Sequence, residues 1–386
     1  MSTPFRVNLA QELGIFQGDE ELFRKAFGDF FAREFDGHEL EYKSGAKPFT
    51  EFWRRAAEAN LVGILLPEGV GGLGASEVCG VAAAYEMGRS IGYATVGSTL
   101  ATDISSGLLN HAGEALRDEL APRVLAGAIQ CLAMTEPDAG SNIDGLRASA
   151  ILDGDEWVIN GAKCFITMGD IAELLYVVVR TDTERGLKGL SIIVVDADTP
   201  GVTQKRMPMV GLPTTGLGEI NFNQVRAPRS RLIGPPGSAV KMLASMLSVD
   251  RASMSAEALG QAERAIEMSV EFARNREILP GQMLIDMQNT RFTIADMLTD
   301  ARAAGLLLRD TVCRIRTKSI SGRDSAICKN FVADASARIL DRAVQLHGAT
   351  GLAVEHPISQ LYASNRKFRI LAGTTELLKS AIARGI

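Results

Sequence analysis

Two short stretches carry residue types and spacings that could do chemistry. Met134-Thr135-Glu136-Pro137-Asp138-Ala139-Gly140-Ser141-Asn142 strings backbone amides, hydroxyls and a glycine around a turn. Amides and hydroxyls donate hydrogen bonds and a glycine admits close approach, so this turn suits a pyrophosphate and the polar edge of a ring. Asn160-Gly161-Ala162-Lys163-Cys164-Phe165-Ile166-Thr167 reads as a strand with the ring of Phe165 and the hydroxyl of Thr167 on one face. The glycine-rich run Leu66-Pro67-Glu68-Gly69-Val70-Gly71-Gly72-Leu73-Gly74 lacks a preceding strand and the G-x-G-x-x-G order. It reads as a turn between helices and not as a dinucleotide site.

The elements that must hold these residues change period twice. Residues 1–128 read as helical: Phe52-Trp53 with Ala56, Ala57, Leu61 and Ile64 recurs at helical spacing, as do Ala82, Ala83 and Met87. From 129 to 236 the period is two. Ala148–Leu152, Trp157–Ile159, Cys164–Thr167, Leu174–Arg180, Leu190–Val195 and Gly218–Phe222 read as consecutive strands of an antiparallel β-barrel or sandwich. Asp153-Gly154-Asp155 separates the first two, and Asn160-Gly161 predicts a hairpin turn, because type I′ turns need positive φ. Residues 237–386 are helical again. Leu259, Ala262, Ile266, Val270 and Ala273 form one apolar stripe; Phe292, Ala295, Leu298, Arg302 and Leu306 form a second; Phe331, Ala335, Ile339 and Val344 form a third. Long helices of this kind suit a bundle.

Bulk properties narrow the class. A chain of 386 residues with 46% hydrophobic and 23% charged residues has the composition of a soluble globular protein of two or three domains. A net charge of −5 argues against nucleic acid or an anionic membrane as the main partner. No apolar run reaches membrane-spanning length, and the first residues lack the pattern of a signal peptide. The five cysteines (Cys79, Cys131, Cys164, Cys313, Cys328) and the four histidines lack metal-ligand spacing. Reduced thiols in a cytoplasmic protein without a metal are the expectation.

The two opening stretches are similar to the flavin-binding signature of the acyl-CoA dehydrogenase family, roughly T-E-P-x-A-G-S-D and then N-G-x-K-x-W-I-T-N. Asp250-Arg251, Ala258-Leu259-Gly260, Ile294-Ala295-Asp296-Met297, Gln345-Leu346-His347-Gly348 and Gly373-Thr374-Thr375-Glu376 follow in the family's order. The resemblance implies an α+β multidomain fold: an N-terminal helical domain, a middle antiparallel β-barrel or sandwich, and a C-terminal four-helix bundle. It also implies FAD. Met134 and Thr135 would meet the flavin pyrimidine edge, Gly140 would permit approach, Ser141 would bond the pyrophosphate and Thr167 would approach N5. Phe165 stands where the family usually has tryptophan, keeping a ring face without the N–H. Arg276, Gln345, Gly348 and Thr374 resemble residues that reach a neighbouring subunit's cofactor, which implies a homotetramer or homodimer. After Arg276, however, the family's Q-F-G is replaced by Glu277-Ile278-Leu279-Pro280-Gly281.

By the same resemblance the reaction is α,β-dehydrogenation of an acyl thioester on CoA or on an acyl or peptidyl carrier protein, as in fatty acid metabolism. Electrons would pass to an electron-transferring flavoprotein or similar acceptor. The family's usual glutamate base is replaced by Ala372, whose backbone N–H could still hold the thioester oxygen. Glu376 reads as a carboxylate at a helix start. Some relatives carry the base immediately before the arginine that opens a helix, which here makes Asp250 the candidate base, with Arg251 to position it; an ordinary helix cap is the competing reading. Two other readings keep the fold: a flavin oxidase or monooxygenase, and a base-less subunit of a heteromeric enzyme.

Overall fold

A computed structural model describes residues 4–35, 38, 41–42, 46–90, 104–211 and 216–384. Its helices are, in chain order, α1 (Leu9–Glu12), α2 (Asp19–Phe35), α3 (Phe49–Glu58), α4 (Glu77–Arg89), α5 (Ile104–Leu109) and α6 (Glu114–Leu125). After the β-region come α7 (Ala239–Asn275), α8 (Gln288–Arg316), α9 (Gly322–His347), α10 (Pro357–Asn365) and α11 (Thr375–Ile382). The chain forms two compact units. One gathers Met1–Ser44, Glu77–Ser98 and Ser248–Ile386; the other gathers Gly45–Ser76 and Thr99–Leu247. The helices before residue 128 are therefore shared between them.

The second unit is built on one sheet of β1 (Gln130–Ala133), β2 (Ser149–Asp153), β3 (Glu156–Thr167), β4 (Leu174–Arg180), β5 (Leu190–Asp196), β6 (Val202–Met207), β7 (Leu217–Pro228) and β8 (Leu232–Ile233). The strand order is β6-β7-β3-β2-β4-β5-β8, with β1 beside β4. The sheet is not wholly antiparallel as expected: β1 runs parallel to β4 from Gln130↔Leu174, and β2 touches β4 in parallel at Ser149↔Arg180. Strands β4 and β5, apolar nearly throughout, are buried on both faces and form the centre of this core.

Asn160-Gly161 is not a hairpin turn. β3 runs straight through it, because the long β7 pairs with nearly all of β3 and offers more ladder bonds than a turn could. The register slips between Ile159 and Gly161, a β-bulge. Gly161 has φ 142°, and a Cβ there would lie 2.6 Å from the Ala148 Cβ. The Gln224 amide donates to Asn160 Oδ1 at 2.9 Å, so the asparagine serves the bulge. The hairpin is made by Gly154-Asp155, with Asp153 opposite Glu156 and Gly154 at φ 63°.

In the first unit, the Leu259, Ala262, Ile266, Val270 and Ala273 stripe of α7 is buried as its spacing predicts. The α8 stripe is not. Phe292 and Leu306 are 60% and 49% exposed, and the buried face is Ile294, Met297, Ala301, Ala304 and Leu308. Both faces have helical spacing, and the smaller side chains win because α1 packs against them: a Cβ on Gly305 would lie 2.8 Å from Leu13 Cδ1. On α9, Ala335 and Ile339 are buried, whereas Phe331 is 38% exposed. Glycine explains the crossing of α4 and α7. A Cβ on Gly88 would sit 2.0 Å from the Glu257 carbonyl oxygen, and one on Gly260 would sit 2.3 Å from that of Tyr85. The two backbones touch there, and no side chain fits between them.

A buried polar network also ties the N-terminal segment to this unit. The Val7 amide donates to Glu267 Oε1 (3.0 Å) and the Leu9 amide to Glu263 Oε1 (3.3 Å). Tyr85 Oη and Arg89 both donate to Glu263 Oε2.

Candidate active site

The two opening motifs are tied together in the second unit. The Cys164 amide donates to the Thr135 carbonyl at 2.9 Å, which sets Thr135 beside Phe165. Lys163, fully buried, donates to the Met134 carbonyl (3.0 Å) and to Glu136 Oε1 (2.7 Å). The Glu136 carboxylate also accepts from the amides of Arg147 (2.7 Å) and Ala148 (2.9 Å). Burial alone would raise the Glu136 pKa. The Lys163 bond and the two amides outweigh it and hold the carboxyl below its ordinary value. Burial pushes the Lys163 ammonium down, with Glu136 opposing the shift.

This clamp presents a face suited to a flat ligand with polar edges. A second register slip in β3, between Lys163 and Ile166, puts Phe165 at φ 55° and leaves it 49% exposed between the buried Cys164 and Ile166. Thr167 follows on the same strand, half-buried. Gly140 and Ser141 are exposed, and a Cβ on Gly140 would meet nothing within 4 Å. Among the described residues no protein group takes a hydrogen bond from the hydroxyls of Thr135, Ser141 or Thr167. An outward-turned ring with unspent donors fits an isoalloxazine with its pyrophosphate tail.

The other cluster lies in the first unit. Asp250 and Arg251 sit well inside α7, so neither opens a helix and Asp250 is no cap, contrary to the sequence reading. Arg251 Nε donates to the Ala372 carbonyl at 3.1 Å. Lys329, on α9 and only 1% exposed, donates through Nζ to the Gly373 carbonyl at 2.8 Å. Asn330 Nδ2 donates to the Thr375 carbonyl at 3.2 Å. Three side chains thus grip one short turn. Ala372 has φ 52° and Gly373 has φ 98°, consecutive left-handed residues. Such a conformation strains an alanine by ~1–2 kcal/mol.

Burial pushes the Asp250 carboxyl up to about 6; Arg251 and Lys329 pull it back, and Glu257 adds to the rise. Burial and then neighbouring Arg251 lower the Lys329 ammonium, against Asp250, Asp334 and Glu376, to about 8. A carboxylate near 6 is poised to take a proton at neutral pH.

Thr374 caps α11: its Oγ1 accepts from the Leu377 amide at 3.2 Å, which leaves its O–H free to donate. Glu376 lies in the first turn of that helix, the helix-start position expected of it. Arg276, Gln345 and Gly348 are exposed and lie apart from Asp250, at the ends of α7 and α9. Beyond Arg276 a small hairpin, β9 (Glu277–Leu279) and β10 (Gln282–Met283), replaces the missing Q-F-G, and the Leu284 amide bonds the Arg276 carbonyl at 2.7 Å. None of the five cysteines is in a disulfide among the described residues. Among the described residues no group of histidines, cysteines and carboxylates is arranged to hold a metal, and no helix is long and apolar enough to cross a membrane.

Comparison with known proteins decides the family. Residues 17–128, 131–225 and 239–386 match the profiles of the acyl-CoA dehydrogenase N-terminal, middle and C-terminal domains. The chain belongs to the acyl-CoA dehydrogenase family. It is 30% identical to an acyl-CoA dehydrogenase of Bacillus subtilis (95% of this chain, 97% of that one). It is also 30% identical to an acryloyl-CoA reductase (NADH) of Anaerotignum propionicum (87% and 86%). The crystal structure of a probable acyl-CoA dehydrogenase from Mycobacterium abscessus superposes with a TM-score of 0.90 at 27% identity, covering 96% of this chain and 99% of that one. The fold is thus that of the family: a helical N-terminal domain, a middle β-sheet domain and a C-terminal helical domain. Members are FAD-dependent oxidoreductases acting on a CH–CH group.

Sequence reasoning missed Glu136 and Lys163 as a clamp, and Lys329 and Asn330 as grips on the 372–375 turn. Glu136 and Lys163 lie inside the quoted motifs, and a charged pair repeated across two adjoining signatures was the available signal. Lys329 gave none, because a lysine on a long helix normally faces water.

Proposed function

We propose that this chain catalyses α,β-dehydrogenation of an acyl thioester, with Asp250 as the base. The observation that carries this reading is the bond from Arg251, next to Asp250 on α7, to the Ala372 carbonyl of the strained turn, with burial holding the Asp250 carboxyl above its ordinary value. Asp250 takes the α-proton of the acyl group on a carboxylate oxygen. The Ala372 N–H, with no acceptor among the described residues, holds the thioester oxygen as negative charge develops there. Bound FAD supplies the acceptor for the hydride that leaves the β-carbon. Met134 and Thr135 would bond its pyrimidine edge, Gly140 and Ser141 would receive its pyrophosphate, Phe165 would lie against its ring and Thr167 would donate at N5. Run backwards, the same residues hydrogenate an enoyl thioester, with protonated Asp250 returning the proton.

Acyl-CoA substrates and association with electron-transferring flavoprotein are known in the family. The alanine at 372 leaves more room than a glutamate, which favours an acyl group with a branched or bulky α-substituent on CoA or a carrier protein. Electrons leave to an electron-transferring flavoprotein. Arg276, Gln345, Gly348 and Thr374 serve the cofactor of a second copy in a cytoplasmic homo-oligomer. The domain division that goes with this reading is 1–128, 129–236 and 237–386.

The test is anaerobic mixing of the purified flavoprotein with a panel of acyl thioesters, following flavin bleaching for native protein and Asp250→Asn. Native bleaching at a rate that rises with pH through about 6, and falls at least ~100-fold in the variant, supports Asp250. Equal bleaching of both proteins refutes it; bleaching of neither by any thioester refutes the reaction.

A further inference from the structure

The 372–375 turn is held by charged side chains from α7 and α9, and this has a consequence for the peptide groups themselves. A trans peptide carries its C=O and N–H in opposite directions. Arg251 holds the Ala372 carbonyl, so the N–H of the same peptide group, that of Gly373, points away from Arg251. Lys329 holds the Gly373 carbonyl, so the N–H of Thr374 points away from Lys329. Among the described residues neither amide has a backbone acceptor. A cation on a carbonyl oxygen also polarises its peptide group and strengthens the N–H as a donor. The buried Lys329 and the half-buried Arg251 therefore act on two consecutive peptides of a turn that carries unspent donors.

We propose that Lys329 is a positioning residue for the reaction: through the Gly373 carbonyl it fixes the turn whose Ala372 N–H receives the thioester oxygen, and it sets a positive charge near Asp250. This rests on the reading of Asp250 and the Ala372 amide given above, and goes beyond it by assigning a role to a residue outside the motifs. Lys329 is suited to the role for two reasons. It is the buried cation that α9 sends to the turn, and it acts on Asp250 without a hydrogen bond, so it does not occupy the base. The charged groups around it are Asp250 and Arg251 on α7, Asp334 on α9 and Glu376 on α11, and Glu257 on α7 acts on Asp250. Two of these are already neutralised, Glu257 by Lys367 at 2.7 Å and Asp334 by Arg369 at 2.8 Å. Removing the Lys329 charge therefore leaves Asp250 with Arg251 as its nearest cation, and the Asp250 pKa rises.

The experiment compares native holoenzyme with Lys329→Met and with Asn330→Ala, which loosens the same turn without changing charge. Hydrogen exchange of the Leu377 and Leu378 amides, which bond the hydroxyl and carbonyl of Thr374, is read alongside kcat, KM and pH profile. Lys329→Met is expected to speed exchange at both amides about tenfold and to lower kcat about tenfold with KM within about twofold. It is also expected to move the acidic limb of kcat/KM up by about one pH unit. Asn330→Ala leaves that limb in place. Should Lys329→Met fail to fold, Lys329→Gln keeps a donor to Gly373 and removes only the charge. It must then show the shifted limb. An unshifted limb in a folded Lys329 variant, or Lys329→Gln unfolded as well, overturns the proposal. If native enzyme turns over no thioester, the dehydrogenase reading fails instead. Exchange then still decides the grip, and unchanged exchange in Lys329→Met overturns the positioning role too.

Discussion

Removing the ammonium of Lys163 should cost the protein its cofactor before it costs the protein its fold. Lys163→Met keeps the length and the buried apolar stem, and leaves Glu136 charged, buried and short of its strongest partner. Breaking a buried ion pair from one side costs ~3–5 kcal/mol. The low end applies here, because Glu136 keeps two amide donors, from Arg147 and Ala148. The cost falls on the Met134–Ala148 segment, whose Met134 carbonyl also loses its Lys163 bond. FAD binding must restore that segment, and ~3 kcal/mol at ~1.4 kcal/mol per decade is about a 100-fold loss of affinity. The assay is titration of apoprotein with FAD, followed by flavin fluorescence, with far-ultraviolet circular dichroism to establish folding. Glu136 should also titrate above its native value, so that affinity in the variant partly recovers at low pH. The double variant Lys163→Met, Glu136→Gln removes the orphaned charge and should recover part of the loss. A folded Lys163→Met that binds FAD within about threefold of native protein would refute the clamp argument.

Two further outcomes follow from the same geometry. Ala372→Gly relieves an alanine at φ 52° and should raise the melting temperature by about 1–3 °C, measured calorimetrically; a lower melting temperature would mean that the turn is unstrained. Glu263, pushed up to about 7 by burial against Arg89 and Tyr85, holds a proton in the folded state that the unfolded chain releases near 4.5. Stability should therefore fall as pH rises through that window, by ~3 kcal/mol, and level off above it. Glu263→Gln should flatten that slope in urea melts taken across the window, and an unchanged slope would place the titration elsewhere.

Much of the fold was legible because local chemistry decides it. The β4 and β5 runs have no polar alternation and can only be buried strands, and the α7 stripe offers one apolar face. Where two faces or two turn types compete, local pattern cannot choose. α8 carries two stripes of helical spacing, and the packing of Leu9 and Leu13 over Gly305 selects one. Asn160-Gly161 satisfies a hairpin and a bulge equally well, and the length of β7 selects the bulge.

The sequence by itself determined the make-up of the 134–142 turn and of the 160–167 strand, because within each the residues are neighbours along the chain. It also determined that the usual base is absent at Ala372. Tertiary structure alone decided what surrounds Asp250. Lys329 and the 372–375 turn are far from it in sequence, and the balance of burial against Arg251 and Lys329 that sets its proton affinity exists only when α7, α9 and the turn are packed together. Burial and charge–charge distance are properties of the folded chain, and no local pattern of residues encodes them.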